Sequence, residues 1–583
     1  MSLQTLNDIF FAIAGREQPE LMLRNTGESW QPISSREFTA NVEGVFAALR
    51  SFGITKGDRV AILGENRHEW AVADFASLLL GAVVVPIYTT LTGEQTAYML
   101  RDSGARVIFV SRKAHLEKVL SVLGTTPVEK IVVMDDGAGT GAIAMSELMR
   151  RSSGNDWQGR AREVQAADLA TIIYTSGTTG VPKGVMLTHG NMASNINAFC
   201  EVFGFGPNMR CISFLPLSHV TARAVDFGLL NRGTTLAHLP QLEKLSQALL
   251  QVRPNIFLAV PRLYEKIHAQ AELQSTNFPY KQIYRWSMKV GWANRGAVLA
   301  GKTPLSPAWK LADKLVYSKI RAGLGGRVST HISGGAPLGM KLAEWYADMG
   351  IRIHEGYGLT ETSPVIAANT PDQHRMGSVG KPLRNVEVRI AEDGEILVRG
   401  PSVFHGYWNK PEETRAAFTD GWFKTGDIGR LDQDGFLYVT DRKKDLIKTS
   451  GGKYIAPQPI EGVLKHNPLV AEAVLVGDKH KFAAVLIFPN FVALEARLTA
   501  NGIKTMSRAE LVELPQVQEL YAEIIEQVNQ SLAQFEKLKT FRVVAEELSA
   551  AAGTLTASLK LRRRAIEEQF SALIEQMYSD TQN

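Results

Sequence analysis

Apolar runs alternate with helical patterns between residues 33 and 134. The runs have the length and the β-branched composition of buried strands, and they lie at 59–63, 82–87, 106–110 and 130–134. A capping pair, Ser34 with Glu37, begins a helix whose apolar side chains share one face. This alternation is typical of a parallel sheet with helices on both faces, so it predicts an α/β fold. Residues 135–167 are polar and weakly periodic, which predicts a surface connection.

The stretch 174–184 has the composition of a phosphate-binding loop and follows an apolar run at 170–173. Its glycines let the backbone approach an anion closely, its hydroxyls donate hydrogen bonds, and Lys183 supplies a positive charge. The phosphate contacts are expected from Thr175, Ser176, Gly177, Thr178, Thr179, Gly180 and Lys183, with Gly184 as a further close-approach glycine. Because Pro182 and Gly184 flank the lysine, the loop lacks the Gly-Lys-Ser/Thr ending of a Walker P-loop.

This loop resembles the phosphate-binding signature of the AMP-forming acyl-adenylate synthetases, the superfamily of acyl-CoA synthetases, peptide-synthetase adenylation domains and luciferases. Further stretches that match the superfamily lie at 333–337, 355–362, 421–427 and 553–564, so the resemblance runs almost the full chain. Residues 260–267 are most similar to the long-chain fatty acid–CoA ligases. Residues 380–382 and 406–411 continue the resemblance and are interpreted as structural.

The resemblance implies two domains. A large N-terminal AMP-binding domain, 1–443, is expected to contain parallel and mixed sheets flanked by helices, and a small mobile α+β lid is expected at 444–583. A chain of 583 residues is long enough for this, on a prior of roughly 150 residues per domain. By resemblance Lys444 is the hinge, and Gly451 and Gly452 lie in the loop that forms the CoA tunnel when the lid turns.

A nucleotide site is expected from residues far apart in the chain. Small residues at 334–336 leave room for a flat base, and Tyr357 offers a ring face. In the superfamily the aspartate at the position of Asp427 accepts hydrogen bonds from both ribose hydroxyls, and Arg442 reaches the ribose or a phosphate. Beyond the loop, the nucleotide-binding residues implied are Gly334, Gly335, Ala336, Tyr357, Gly358, Thr360, Asp427 and Arg442.

The candidate catalytic residues are Lys560, Glu361, Thr360, Lys183 and His219. Thr360 can donate to the α-phosphate, and Glu361 is a hard oxygen ligand suited to Mg²⁺. By resemblance Lys560 closes on the acyl carboxylate and the phosphate, while the triplet 562–564 beside it is interpreted as solvated charge. His219 occupies a motif position beside the acyl carboxylate, but a lone histidine after a strand is more often structural, and both interpretations stay open.

The resemblance implies a long-chain fatty acid–CoA ligase that uses ATP, Mg²⁺ and CoA. The enzyme would convert a fatty acid and ATP to acyl-AMP and pyrophosphate, and would then transfer the acyl group to CoA. Two alternatives with the same fold stay open: a fatty acyl-AMP ligase that loads a carrier protein, and a CoA ligase for shorter or aromatic acids. A catalytically inactive nucleotide sensor or scaffold is a third, which is disfavoured by the intact Lys183, Glu361, Asp427, Arg442 and Lys560.

The segment 279–327 contains ten basic residues and one acidic residue, with tyrosines and tryptophans between them. It is either a solvated helical surface with tryptophans in the core or a patch that contacts a membrane surface, through which a lipid-dissolved fatty acid enters. The net charge of +5 is too small to indicate nucleic acid. Cys200 and Cys211 are expected to be buried thiols, and no signal peptide or membrane span is visible. The protein is therefore expected in the cytoplasm, with peripheral contact to the inner membrane surface as an option and its oligomeric state open.

Overall fold

The computed structural model describes residues 2–27, 29–135, 141–151, 156–175, 182–274, 279–450, 453–500, 502–503, 506–549, 552–556 and 561–579. The first part of the chain forms helices α1 Asn7–Ala14, α2 Ser35–Ser51, α3 His68–Leu79, α4 Gly93–Ser103, α5 Lys113–Leu120, α6 Met145–Met149 and α7 Trp157–Glu163. Its strands are β1 Met22–Asn25, β2 Trp30–Ile33, β3 Arg59–Leu63, β4 Val83–Ile87, β5 Ala105–Val110, β6 Lys130–Val133 and β7 Ile143–Ala144.

The middle of the chain continues the alternation of strands and helices. Its strands are β8 Leu169–Thr175, β9 Lys183–Thr188, β10 Arg210–Ser213, β11 Thr235–His238, β12 Ile256–Ala259 and β13 Thr330–Gly334. Its helices are α8 His189–Phe203, α9 Val220–Asn231, α10 Leu245–Val252, α11 Pro261–Gln274, α12 Tyr280–Leu299, α13 Pro307–Ala312 and α14 Ser318–Gly323.

The remaining elements are mostly strands up to residue 442 and mixed thereafter. They begin with α15 Met340–Asp348, β14 Ile353–Gly358, β15 Val365–Ala368, β16 Lys381–Pro382, β17 Glu387–Ile390, β18 Glu395–Arg399, β19 Gly406–Tyr407, α16 Pro411–Ala417, β20 Phe418–Thr419, β21 Trp422–Leu431 and β22 Leu437–Arg442. They end with β23 Ile447–Lys448, β24 Tyr454–Ile455, α17 Pro457–Lys465, β25 Val470–Val476, β26 Ala483–Pro489, α18 Phe491–Ala500, α19 Arg508–Val512, α20 Pro515–Asn529, β27 Leu538–Val543, α21 Arg563–Gln569 and α22 Ser571–Ser579.

Large sheets organise the N-terminal part. One has the order β19-β9-β8-β4-β3-β5-β6-β7, another β16-β15-β14-β13-β12-β10-β11-β1-β2, and a smaller one β17-β18-β21-β20 with β22 on β21. Neighbours such as β3 and β5 are parallel, whereas β8 and β9 are antiparallel, so the sheets are mixed. The predicted α/β fold is confirmed. The predicted strand at 59–63 is β3, and Ser34 caps α2 by accepting the Glu37 N–H at 3.1 Å.

Residues 135–167, which precede the phosphate loop, were predicted to be a surface connection, and the structure differs from this prediction. Helices α6 and α7 form there, and they bury Met145, Leu148, Trp157 and Ala161. Phe10 packs edge-on against the Trp157 ring, with 5.0 Å between ring centroids. The helices are short, of five and seven residues, so their apolar residues do not repeat often enough to produce a visible helical period in the sequence.

The C-terminal part is a smaller α+β unit with cores of its own. Strand β26 lies between an antiparallel β25 and a parallel β27. Helices α17, α18 and α20 cover one face of this sheet, where Leu464, Leu494 and Tyr521 are fully buried. Helices α21 and α22 cover the other face, where Ile566 and Met577 are buried. In the described part of the chain, no helix has both the length and the apolarity needed to span a membrane.

Candidate active site

A hairpin of β8 and β9 positions the phosphate loop. In the antiparallel register Thr175, the last residue of β8, lies directly opposite Lys183, the first residue of β9. Both predicted phosphate ligands therefore lie at the same end of the hairpin. The other predicted loop contacts, Ser176, Gly177, Thr178, Thr179 and Gly180, lie outside the described residues.

Gly184 is required by packing between strands. A Cβ atom at this position would lie 2.7 Å from Ile172 Cγ2 and 3.2 Å from Trp408 Cβ. The Trp408 N–H donates to the Gly184 carbonyl at 2.7 Å. The structure therefore explains Gly184 by the close approach of the segment around Trp408, where the sequence suggested close approach of an anion.

Tyr407 contacts two of the predicted site residues. Its hydroxyl donates to Glu361 Oε1 at 2.9 Å, and Lys183 Nζ lies 5.3 Å from the centroid of its ring. Glu361 belongs to the 3-10 turn Thr360–Thr362, which follows β14 and also holds Thr360. Sequence reasoning missed Tyr407, because the stretch 406–411 was interpreted as structural. The signal that could have found it is a tyrosine hydroxyl in a stretch that matches the superfamily.

Glu361 suits a cation that also contacts phosphate. Burial raises the pKa of its carboxyl, because it disfavours the ionised form. A cation bound beside the carboxyl would favour the ionised form again. Magnesium is commonly held by one or two carboxylates together with substrate phosphates. Within the described ranges there is no cluster of three or more His, Cys, Asp or Glu side chains able to hold a metal. A magnesium site formed by the Glu361 carboxylate and the phosphates of a bound nucleotide agrees with this preference.

Three predicted nucleotide residues form one network. The Tyr357 hydroxyl donates to Asp427 Oδ2 at 2.7 Å, and Arg442 Nε lies 3.2 Å from Asp427 Oδ1. Asp427 on β21 and Arg442 on β22 are register partners, while Tyr357 comes from β14 of another sheet. Burial, together with the Asp427 carboxylate, raises the pKa of Tyr357, so its hydroxyl keeps its proton. The network presents a buried carboxylate between an aromatic ring and a guanidinium.

The predicted base-binding glycines lie next to this network. Gly334 ends β13 beside Gly356, and Gly335 and Ala336 are exposed. Gly335 has φ +84°, and a Cβ atom there would meet no other atom within 4 Å. The backbone thus leaves open space one strand away from Tyr357.

His219 has a structural role in the fold. It is the N-cap of α9, and its Nδ1 accepts the Thr221 N–H at 3.2 Å. The side chain is half-buried. This contact supports the structural interpretation of the two that the sequence left open, and a place beside the acyl carboxylate stays a prediction.

Arg223, four residues after His219, contacts the first strand of the β8–β9 hairpin. It is fully buried and makes a bidentate pair with Asp74 of α3. Its Nη1 also donates to Thr171 Oγ1 of β8 at 2.8 Å. Helices α3 and α9 are therefore tied to the strand that leads into the phosphate loop.

The predicted hinge and C-terminal residues are only partly described. Lys444 follows β22 directly after Lys443, whose Nζ pairs with Asp393 and Glu395 at 2.6 and 2.7 Å. Gly451, Gly452 and Lys560 lie outside the described residues. The ends of the segment that carries Lys560 are joined, because Leu555 and Leu561 form an antiparallel bridge.

Arg563 was also missed as a structural residue. Its Nη2 lies 2.7 and 2.8 Å from the two carboxylate oxygens of Glu461 on α17, and its side chain is 12% exposed. The interpretation of the 562–564 triplet as solvated charge is therefore wrong for Arg563, whereas Arg562 and Arg564 are exposed.

Comparisons with known proteins identify the family of this chain. Residues 12–408 match the family described as AMP-binding enzyme, and residues 444–582 match the AMP-binding enzyme C-terminal domain. The Long-chain-fatty-acid–CoA ligase FadD15 of Mycobacterium tuberculosis is 36% identical over 97% of this chain and 95% of its own length. The peroxisomal Long chain acyl-CoA synthetase 7 of Arabidopsis thaliana is 32% identical over 95% and 82%.

Solved structures share the fold at lower identity. The anthranilate CoA ligase AuaEII in complex with anthranoyl-AMP superposes with a TM-score of 0.74 at 21% identity, covering 97% of both chains. ATP-bound MatB from Rhodopseudomonas palustris gives 0.72 at 24% identity, covering 97% of this chain and 99% of that one. With a family match over most of the chain and a full-length relative at 36% identity, this chain belongs to the AMP-binding enzyme family.

Proposed function

We propose that this enzyme is an AMP-forming long-chain fatty acid–CoA ligase. The observation that carries the proposal is the meeting of Lys183, Glu361 and the Tyr357–Asp427–Arg442 network in one region, through contacts between three sheets. Relatives named as long-chain fatty acid ligases support the substrate class, since they align with nearly the whole chain. Two domains, 1–443 and 444–583, belong to the same proposal.

The first half-reaction activates a carboxylate, which is a poor electrophile towards a thiol. A fatty carboxylate oxygen attacks the α-phosphorus of ATP in line, and pyrophosphate leaves. Lys183 and the loop hydroxyls would hold the β- and γ-phosphates, Thr360 would donate to the α-phosphate, and Asp427 would hold the ribose. Glu361 and the phosphates would hold Mg²⁺, whose positive charge, when the ion is bound, offsets the negative charge of the phosphates. Lys560 would offset the charge between carboxylate and phosphate.

The second half-reaction transfers the acyl group to CoA. The thiol sulfur attacks the carbonyl carbon of the acyl-adenylate and loses its proton to water, the bond to the phosphate oxygen breaks, and AMP leaves. The C-terminal domain would turn about Lys444, which removes Lys560 from the site and brings in Gly451 and Gly452 beside the CoA arm. A hinge of this kind lets one small domain serve two steps.

The direct test measures release of AMP and pyrophosphate from ATP across carboxylic acids from acetate through benzoate to palmitate, with and without CoA. Long-chain acids are expected to give the highest rates, and AMP release in turnover is expected to require CoA. Adenylate formation that is indifferent to CoA would indicate an acyl-AMP ligase with a carrier-protein partner. Absence of ATP–pyrophosphate exchange would indicate a sensor or scaffold.

The assignment of Lys560 to the first step has its own test. Lys560→Ala should reduce adenylation by a factor of roughly 10² or more, because an electrostatic contact to the transition state is lost. Thioester formation from supplied acyl-adenylate should be nearly unchanged. Lys539→Ala, an exposed lysine of the same domain, serves as the control. An equal loss in both half-reactions contradicts the assignment.

We also propose that the segment 279–327 contacts an anionic membrane surface. On α12 the exposed residues Lys281, Arg285 and Lys289 repeat every four positions, so they share one face. Trp292 on the same helix is 70% exposed, and Leu305 is 79% exposed. Trp309, in contrast, is 4% exposed and belongs to the core. A basic helical face with outward aromatic and apolar residues is suited to the lipid interface.

Vesicle co-sedimentation tests this contact. The triple variant Lys281→Glu, Arg285→Glu, Lys289→Glu should bind vesicles of phosphatidylglycerol and phosphatidylcholine at least roughly 100-fold more weakly, at about 1 kcal/mol for each basic residue. A matched charge reversal of exposed residues elsewhere, at Arg36, Lys113 and Lys244, should bind like the wild type if the segment is specific. Equal loss in both triple variants would indicate a general charge effect and would refute the patch.

A further inference from the structure

We infer that Tyr407 is a positioning residue that holds the carboxylate of Glu361 and the ammonium group of Lys183 in one fixed arrangement. The inference rests on the proposed function, in which Glu361 serves the metal ion and Lys183 the phosphates. It assigns two separable tasks to one side chain: the hydroxyl orients the carboxylate, and the ring orients the lysine.

The segment that carries Tyr407 forms two hydrogen bonds with Glu361. The Tyr407 hydroxyl donates to Glu361 Oε1 at 2.9 Å, and the Phe404 N–H donates to the Glu361 carbonyl at 2.8 Å. One contact orients the side chain and the other fixes its backbone. Because the hydroxyl occupies one carboxylate oxygen, it also orients the second oxygen.

The same segment is attached to the strand that begins with Lys183. Tyr407 and Val185 are register partners in the antiparallel pair of β19 and β9, so the ring lies next to the start of β9. Lys183 Nζ is 5.3 Å from the ring centroid, within the range in which an ammonium group is attracted to an aromatic face. The lysine is half-buried, which strengthens this attraction relative to a fully solvated pair.

Tyr407 is itself held in place. Its N–H donates to Thr414 Oγ1 at 2.9 Å, and its ring packs edge-on against Phe404 with 4.9 Å between centroids. Gly406 before it has no room for a side chain, since a Cβ atom would lie 2.6 Å from Thr414 Cγ2. The hydroxyl and the ring are thus fixed before any ligand binds, which is the condition for preorganising the two groups they contact.

The experiment measures ATP affinity by titration calorimetry with and without Mg²⁺ for the wild type, Tyr407→Phe, Tyr407→Leu, Glu361→Gln and the Tyr407→Phe/Glu361→Gln double variant. Tyr407→Phe should bind ATP without Mg²⁺ as the wild type does. The increase in ATP affinity that Mg²⁺ causes should be about tenfold smaller, because a hydrogen bond to a charged group is lost. Adding Tyr407→Phe to Glu361→Gln should cause little further loss, because the hydroxyl acts only through the carboxylate that Glu361→Gln has already removed. Tyr407→Leu should also weaken Mg²⁺-free binding, since the ring beside Lys183 is lost.

Controls separate positioning from a loss of folding. Tyr346→Phe removes a buried hydroxyl that donates to the Tyr264 carbonyl at 2.8 Å, away from these residues, and it should leave both affinities unchanged. Equal losses with and without Mg²⁺ in Tyr407→Phe, or full additivity with Glu361→Gln, would overturn the inference. If the wild type binds ATP and the Tyr407 variants bind it with the wild-type affinities, the inference is overturned while the proposed function stays intact. Absence of ATP binding by the wild type would overturn both.

Discussion

Arg563 fastens the segment that carries Lys560 to helix α17. Its guanidinium pairs with both oxygens of Glu461 and donates from Nη1 to the Leu475 carbonyl at 2.6 Å. Glu461 Oε1 in turn accepts the Leu475 N–H at 2.6 Å. Both side chains of the ion pair are largely buried, so neither charge can recover its solvation if the other is removed.

Arg563→Ala should therefore destabilise the C-terminal domain strongly. Leaving the Glu461 carboxylate buried without its partner should cost about 3–5 kcal/mol. Arg564→Ala is the matched control, because Arg564 is exposed and pairs with the exposed Glu568 one turn away, and its loss should cost less than about 0.5 kcal/mol. Urea denaturation followed by circular dichroism compares the two, and similar losses would contradict the proposed role of Arg563.

At the scale of elements, the hairpin of β14 and β15 carries both Tyr357 and Glu361 of the candidate site. The turn between the strands is tight, since Leu359 N–H donates to the Pro364 carbonyl at 3.1 Å. A Cβ atom at Gly358 would lie only 1.8 Å from the Pro364 oxygen. Gly358 is therefore needed for the approach of the two strands, whether or not it also contacts nucleotide.

Gly358→Ala should disrupt this hairpin. An overlap with backbone cannot be relieved by a rotamer change, so the destabilisation should reach about 3 kcal/mol or more, and ATP affinity should fall with it. Gly462→Ala is a useful contrast, because this helical glycine in α17 has open space at its Cβ position and should gain about 0.5–1 kcal/mol. Thermal unfolding of both variants is the measurement. Equal melting temperatures would show that β14 and β15 can separate at little cost.

At the scale of the whole molecule, buried ionisable groups couple stability to pH. Asp226 on α9 lies next to the last residues of β10 and β11. The Ser213 hydroxyl donates to Asp226 Oδ2 at 2.7 Å, and His238 Nε2 is 3.7 Å from the same oxygen. Burial raises the pKa of Asp226 from 3.8 to about 7 and lowers the pKa of His238 to about 3. Between the unfolded and folded pKa values of Asp226, the folded protein holds a proton that the unfolded chain has released.

Stability should consequently fall as pH rises towards 7, because the native state binds the extra proton. Between about pH 5.5 and 7.5, Asp226 should account for a loss of about 2 kcal/mol in the free energy of unfolding. Asp226→Asn should remove this part of the loss, while Glu355, whose pKa burial also raises to about 7, keeps its own contribution in both proteins. Urea denaturation at both pH values tests this, and an unchanged pH dependence in the variant contradicts it.

The C-terminal domain should fold without the rest of the chain. Among the described residues, its two core clusters are built from side chains at Ile447 and beyond, on the two faces of the β25–β27 sheet. The two parts also contact each other, for example where the Gln458 N–H donates to Asp441 Oδ2 at 3.2 Å. A fragment of residues 444–583 is expected to show a cooperative thermal transition by circular dichroism. A gradual, non-cooperative change would show that the domain needs the large domain to fold.

The sequence by itself determined the local elements and predicted candidate site residues. The predicted strand at 59–63 is β3, and the cap of α2 is present, because strand and cap signals depend on residues a few positions apart. The resemblance likewise rests on short contiguous stretches, so Asp427, Tyr357 and Arg442 could be named before the structure brought them together.

Only the tertiary structure decided how residues distant in the chain meet. Tyr407 and Glu361 are 46 positions apart, and Arg563 and Glu461 are 102 positions apart. Neither pair leaves a periodic or spacing signal, so Tyr407 was interpreted as framework and Arg563 as solvated charge. The contacts depend on sheet order and strand register, which place β19 beside β9 and α21 beside α17. These arrangements follow from packing of the whole chain, and no local stretch of sequence specifies them.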